Sequence, residues 1–194
     1  MARPRQFDPD AVLERAMQVF WAKGYEATSL DDLCDATKLN RSSLYASFGD
    51  KRALFLETID RYGDRAVARI GATLSRPLAV REAIATFLAE MIDQIVAGPG
   101  RSGCYIGNCA AEVVRHDRAA AASVRRNLER VEATFRAAFA RAKRKGELRP
   151  GADIDALARF FLASTQGLRL VGKSTYNRAV LEDIAEVMLR CFDE

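Results

Sequence analysis

Between residues 41 and 47, Arg41, Ser42, Ser43, Tyr45 and Ser47 offer a guanidinium, hydroxyls and a phenol, spaced to form the polar side of a short helix. Its buried side would be Leu44 and Phe48. Such a set can hydrogen-bond base edges and hold phosphates in a major groove. The same composition also suits an ordinary amphipathic helix with a solvated face, so the elements around it must decide.

Those elements have the spacing of a helix-turn-helix. Thr28 and Ser29 can each cap a helix, with Asp31 and Asp32 completing either capping box and Leu30, Leu33 and Cys34 on one face. Thr37 to Asn40 interrupts the pattern, and Asn40 caps a second helix from Arg41. Upstream, Asp8 and Pro9 open a helix carrying Val12, Leu13, Ala16, Met17, Val19 and Phe20, which Gly24 ends. Downstream, Asp50 starts a long helix that runs to about Leu74 and stops before Ser75-Arg76-Pro77.

Phe20, Gly24 and Tyr25, then Thr28, Ser29 and Leu30, then Leu44-Tyr45, Phe48, Lys51 and Leu54 make this N-terminal segment resemble the DNA-binding domain of the TetR family of bacterial transcriptional regulators. The match covers about the first quarter of the chain; the remainder agrees in length and helical pattern. The resemblance implies an all-α protein with a helix-turn-helix DNA-binding domain at 1–50, preceded by an arm at 1–7, and a ligand-binding and dimerisation domain at 51–194. It also implies Tyr45 and Lys51 as phosphate contacts. Thr28 and Ser29 sit at a helix N-terminus that suits a phosphate, and Arg41, Ser42 and Ser43 are candidates for base contacts, Arg41 foremost. Arg3 and Arg5 could reach an adjacent minor groove. Lys38 and Ser42 occupy positions where the family often has glycine. A lysine at positive φ costs about 1 kcal/mol and can itself reach a phosphate.

Charge is a weak guide. The net +4 and pI near 9.0 permit an anionic partner, yet acidic residues nearly balance the basic ones in the first domain. Any basic surface must be local, built from Arg3, Arg5, Lys38, Arg41, Lys51 and Arg52. No apolar run reaches membrane-spanning length and no signal-peptide core follows the N-terminal basic residues, which points to the cytoplasm. The single histidine, His116, argues against a histidine-rich metal site, no phosphate loop is present, and no cofactor is implied.

Beyond the long connecting helix, breaks at Pro77, Gly98-Pro99-Gly100 and Pro150-Gly151 bound helices at about 79 to 97, 103 to 114, 118 to 146, 153 to 172 and 178 to 192. With the first four this makes nine. The resemblance assigns dimerisation to the last two, which carry Leu157, Phe160, Phe161, Leu168, Leu181, Ile184, Val187, Met188 and Leu189. Leu157, Phe161, Leu168, Leu181, Ile184 and Met188 are the expected interface; the alternative is that most are intramolecular core. Phe87, Met91, Cys104, Tyr105, Phe135, Phe139, Phe161 and Gln166 are candidates to line an apolar inducer cavity, although aromatic residues at helical spacing also build cores.

Four scattered cysteines without a CxxC pair predict reduced thiols. Cys104 falls in the first turn of a helix near Arg101, where dipole and cation favour thiolate. The segment resembles a subset of the family with a glycine-cysteine pair there, some members of which sense oxidants or electrophiles. Cys109 lies on a different helical face, so a Cys104 to Cys109 disulfide requires distortion; both can instead be small packing residues. Three functions follow: a dimeric repressor of a near-palindromic operator released by a small-molecule inducer, a redox- or electrophile-sensing regulator triggered at Cys104, with Cys109 a further possible redox residue, or a helical enzyme or carrier without DNA binding. The missing catalytic constellation disfavours the last.

Overall fold

In the computed structural model, which describes residues 7–98 and 102–193, the described residues form nine α-helices and one 3-10 turn, with no strand. The helices are α1 (Pro9–Lys23), α2 (Leu30–Thr37), α3 (Arg41–Phe48), α4 (Lys51–Leu74), α5 (Val80–Ala97), α6 (Tyr105–Glu112), α7 (Arg118–Arg144), α8 (Ile154–Thr175) and α9 (Arg178–Leu189), then the 3-10 turn Arg190–Phe192. Among the described residues no helix is long and apolar enough to cross a membrane, and no group of three or more metal-ligating side chains is assembled. Arg3, Arg5 and Arg101 lie outside the described residues.

Local chemistry sets most boundaries. Asp8 accepts the Asp10 N–H at 2.9 Å, with Pro9 in the first turn of α1. Of the two capping candidates before α2, Ser29 is the cap: its hydroxyl accepts from the Asp32 N–H at 3.1 Å and the Asp32 carboxylate accepts from the Ser29 N–H at 2.9 Å. α8 continues past the predicted stop at residue 172. Gly172 serves packing there instead of ending the helix, since a Cβ on it would lie 2.5 Å from a methyl of Ile95. The chain leaves α8 later, at Tyr176, whose φ is 50°.

The chain packs as two compact units, one formed by Met1–Tyr62 with Asn108–Arg125, the other by Gly63–Gly107 with Arg126–Glu194. In the first, Phe20 meets Phe55 edge-on at 5.1 Å, Tyr25 lies 4.6 Å from Phe55, and Leu33, Leu44, Leu54 and Ile59 are buried around them. In the second, residues of α4, α5, α7, α8 and α9 share one apolar core from Ile70 to Met188.

Within that second unit the Asn127 side chain of α7 lies against Gly63 of α4. A Cβ on Gly63 would fall 1.4 Å from the side-chain oxygen of Asn127, and Asn127 is itself buried. Only a hydrogen at position 63 leaves room for that side chain.

Candidate nucleic-acid interface

α3 is pinned at its start by Asn40, whose side-chain oxygen accepts the Ser43 N–H at 2.8 Å, and is anchored below by buried Leu44 and Phe48. Arg41, Ser42, Tyr45 and Ala46 remain exposed, and Ser43 and Ser47 are half-buried. Tyr45 is one of the exposed large hydrophobic side chains, at 42% exposure. A phenol this exposed contributes little to the core, and its place beside Arg41 and Ser42 suits contact with an external hydrogen-bonding surface.

Arg41 is not idle without a partner. Its guanidinium donates to Asp31 at 2.7 Å, and both side chains are mostly exposed. Such a pair is weak and salt-screened, so it parks Arg41 near α2 without holding it there. Lys38, as the family comparison anticipates, takes the left-handed conformation (φ 62°) in the turn between α2 and α3, with its N–H donating to Cys34 O at 2.9 Å. Its side chain is exposed. Lys51 is half-buried, its ammonium 4.5 Å above the Tyr25 ring, a cation–π contact that fixes the side chain at the start of α4.

Thr28 departs from the expected phosphate-facing role: it is 1% exposed, and its hydroxyl donates to Gly24 O at 2.5 Å. Closing the turn after α1 consumes the group that the sequence offered to a ligand. Ser29 stays exposed, with its hydroxyl engaged in the capping box.

Two acidic residues that the sequence reading passed over tie the corner between α6 and α7 to the recognition module. The Glu112 carboxylate accepts the backbone N–H groups of Tyr25 at 3.0 Å and Glu26 at 2.9 Å. Gly24 makes room for it: φ is 85° and a Cβ there would lie 2.9 Å from both carboxylate oxygens. Asp117 caps α7 through the N–H groups of Ala119 and Ala120 and accepts both Arg52 Nε (2.5 Å) and Nη2 (2.8 Å). Arg52 therefore belongs to a bidentate pair and not to a free basic patch.

The Arg52 guanidinium, helped by the Ala120 and Ala119 N–H groups, holds the Asp117 carboxyl down to about 2 from an ordinary 3.8. The folded pKa lies below the unfolded one, so the pair's contribution is complete above pH 4 and is lost as pH falls toward 2. Acid unfolding followed by circular dichroism should therefore show a shallower limb between pH 4 and 2 in Asp117→Asn than in wild type. Identical slopes would mean that the pair contributes nothing.

In the second unit the predicted cavity residues divide. Phe87, Met91, Phe135, Phe139 and Phe161 all belong to the apolar core. Their rings pack on one another, with centroids 5.7 Å apart for Phe87 and Phe135, 5.9 Å for Phe135 and Phe161, and 5.3 Å for Phe139 and Phe161. Cys104 and Tyr105 are buried at the start of α6, outside that cluster. Gln166 is half-buried on α8, and a Cβ on Gly107 would lie 3.3 Å from its Oε1 and 3.4 Å from the Cys104 Cβ. Cys104 and Cys109 are both outside any disulfide and buried, at 8% and 3% exposure.

The expected dimer residues divide too. Phe161, Leu168, Leu181 and Met188 are 2% exposed or less and fill the chain's own core, while Leu157 and Ile184 are half-buried against it. Fully buried side chains cannot also form an outer surface. Apolar groups on the outside of α8 and α9 are instead Phe160, Leu170, Val180 and Val187.

Comparison with known proteins agrees with this architecture. Residues 12–58 match the family described as bacterial regulatory proteins, tetR family, and residues 77–188 match the tetracyclin repressor-like C-terminal domain. The chain is 36% identical over the full length of both chains to the HTH-type transcriptional regulator YezE of Bacillus subtilis. It is 32% identical over 99% of its length and 92% of the relative to the transcriptional repressor ComR of Escherichia coli. Among solved structures, a cysteine mutant of the TetR-family regulator CifR, complexed with 26-bp double-strand operator DNA, superposes with a TM-score of 0.87 at 30% identity, covering 98% of this chain and all of that one. Full-length similarity, both family domains and the helix-turn-helix geometry lead to one assignment: the chain belongs to the TetR family of bacterial transcriptional regulators.

Proposed function

We propose that this regulator, which is not an enzyme, acts in the cytoplasm as a homodimeric repressor on a near-palindromic double-stranded DNA operator and is released by a small-molecule inducer. The observation that carries the reading is the exposed Arg41-Ser42-Tyr45 face of α3, held rigid by Asn40, Leu44 and Phe48. In this proposal residues 1–50 supply the DNA contacts: Arg41, Ser42 and Ser43 to bases, Tyr45, Lys51, Lys38 and the Ser29 end of α2 to phosphates, and Arg3 and Arg5 to the flanking groove. Residues 51–194 take the inducer, for which Cys104, Tyr105 and Gln166 at the α6 start are better placed than the closely packed phenylalanines. Inducer binding moves α4, and the two recognition helices no longer match the half-site spacing. Glu112 and the Arg52–Asp117 pair join the α6–α7 corner to this module.

One recognition helix reads only a few base pairs, so useful specificity requires two copies. The second copy docks in this reading on Phe160, Ala163, Gly167 and Leu170 of α8 with Val180 and Val187 of α9. Leu170 is 66% exposed, Val187 is 59% exposed, and open space lies beyond Gly167, which permits close helix approach. Leu170→Arg combined with Val187→Arg should convert the dimer to a folded monomer in sedimentation and lower operator affinity about 100-fold or more, because avidity is lost. A monomeric wild type, or a double variant that still dimerises through these helices, would contradict the reading.

A further inference from the structure

Two adjacent cations open α4, and the chain holds them differently. Arg52 is committed to its bidentate pair with Asp117. Among the described residues Lys51 makes no hydrogen bond or ion pair, and its ammonium rests 4.5 Å from the centre of the Tyr25 ring. A ring face holds an ammonium by its charge and supplies no acceptor atom, so the N–H donors stay available to a phosphate.

The ring is carried by a turn that does not hold itself. Tyr25 packs on Phe55 and Phe20, with centroids 4.6 and 6.2 Å apart, but ring contacts are less directional than hydrogen bonds. Directional restraint comes from Glu112, the last residue of α6. Its carboxylate takes one backbone N–H on each oxygen, Tyr25 at 3.0 Å and Glu26 at 2.9 Å. Among the described residues Glu112 has no other hydrogen bond or ion pair, and these two N–H groups have no other acceptor. Gly24 leaves the space that the carboxylate occupies. All these residues lie in the first compact unit.

We infer that Glu112 is a positioning residue for DNA binding: by holding the Tyr25–Glu26 backbone it sets the ring that presents Lys51 to a phosphate. Asp117 fixes the neighbouring Arg52, so the corner between α6 and α7 orders both residues that open α4. This rests on the Lys51–phosphate contact proposed above and assigns the residue that prepares it. Ordering a lysine before DNA arrives removes an entropic cost worth about 2- to 10-fold in affinity per side chain.

Two measurements on the full-length protein test the assignment, and the first needs no DNA. In protein made with isotope-labelled lysine, the Lys51 methylene resonances are identified by their absence from Lys51→Ala. They should lie upfield in wild type, shielded by the Tyr25 ring face. In Glu112→Gln, whose amide NH2 opposes one of the two N–H groups, they should move to the range of the other lysines. Lys51 resonances unshifted in wild type, or unchanged in Glu112→Gln, overturn the proposal. Glu112→Asp, one methylene short, replaces Glu112→Gln in both measurements if that variant does not fold.

The second is a double-mutant cycle in affinity, on the duplex that wild type selects from a random pool and on random DNA. Glu112→Gln should weaken both alike by about 2- to 10-fold per half-site, and by less than about 2-fold when Lys51 is already alanine. A full effect in the Lys51→Ala background, the mark of a general structural role, overturns the proposal. Absence of DNA binding by wild type would count against the regulator reading, and equal binding by wild type and Lys51→Ala against the phosphate contact. In either case the resonance shifts decide whether Glu112 positions Lys51.

Discussion

Alanine at Arg41 is expected to weaken operator binding about 5- to 150-fold per half-site and to relax base preference at one position in each half-site. The residue is exposed, begins the helix proposed to read DNA, and among the described residues is held by the surface pair with Asp31. Its guanidinium exchanges that carboxylate for a base edge at small cost, because exposed pairs are screened. Lys51→Ala behaves differently. It weakens binding to specific and random duplexes alike and lowers the salt slope by about one per half-site, as a phosphate contact must. Fluorescence anisotropy against salt concentration separates the two. Equal loss on specific and random DNA for Arg41→Ala would move it from base reading to backbone contact.

Gly63→Ala is expected to destabilise the protein by about 1–3 kcal/mol, although helix propensity alone favours alanine by about 1 kcal/mol. Packing reverses the sign. The added methyl would lie 1.4 Å from the Asn127 side-chain oxygen, and Asn127 is 2% exposed, so its side chain has little room to withdraw. Each kcal/mol lost should lower the melting temperature by about 2–4 °C in a chain of this size. Asn127→Ala in the same molecule removes the obstructing atoms, so Gly63→Ala/Asn127→Ala should be more stable than the sum of the single changes predicts. Additive effects would show that α4 and α7 do not meet there as described.

Features written in neighbouring residues were readable from the chain. The Asn40 cap, Pro9 in the first turn, the Lys51–Leu74 connecting helix and the strained Lys38 each depend on contacts within a few positions. Contacts across long sequence separations were not. Nothing around Glu112 announces that it accepts N–H groups from Tyr25 and Glu26, and Asp117 reads as a loop residue until Arg52 is placed beside it. Thr28 and Ser29 look alike in sequence; only the fold buries one and exposes the other.

The same limit explains the dimer face. Period alone marks both Phe160 and Phe161 as apolar helix positions, and which one turns inward depends on where α5, α7 and α9 lie. Phe161 is fully buried while Phe160 is 44% exposed. A glycine signal was available for two features: Gly63 and Gly172 interrupt otherwise good helical sequence, and each marks a close approach of neighbouring structure.

The central claim is sequence-specific DNA recognition by α3. The most direct measurement is selection of bound duplexes from a random pool by wild type and Arg41→Ala. Wild type should enrich a near-palindromic motif with two equivalent half-sites, and Arg41→Ala should lose preference at the same position in both halves. No enriched motif, or an identical motif from both proteins, would contradict the account.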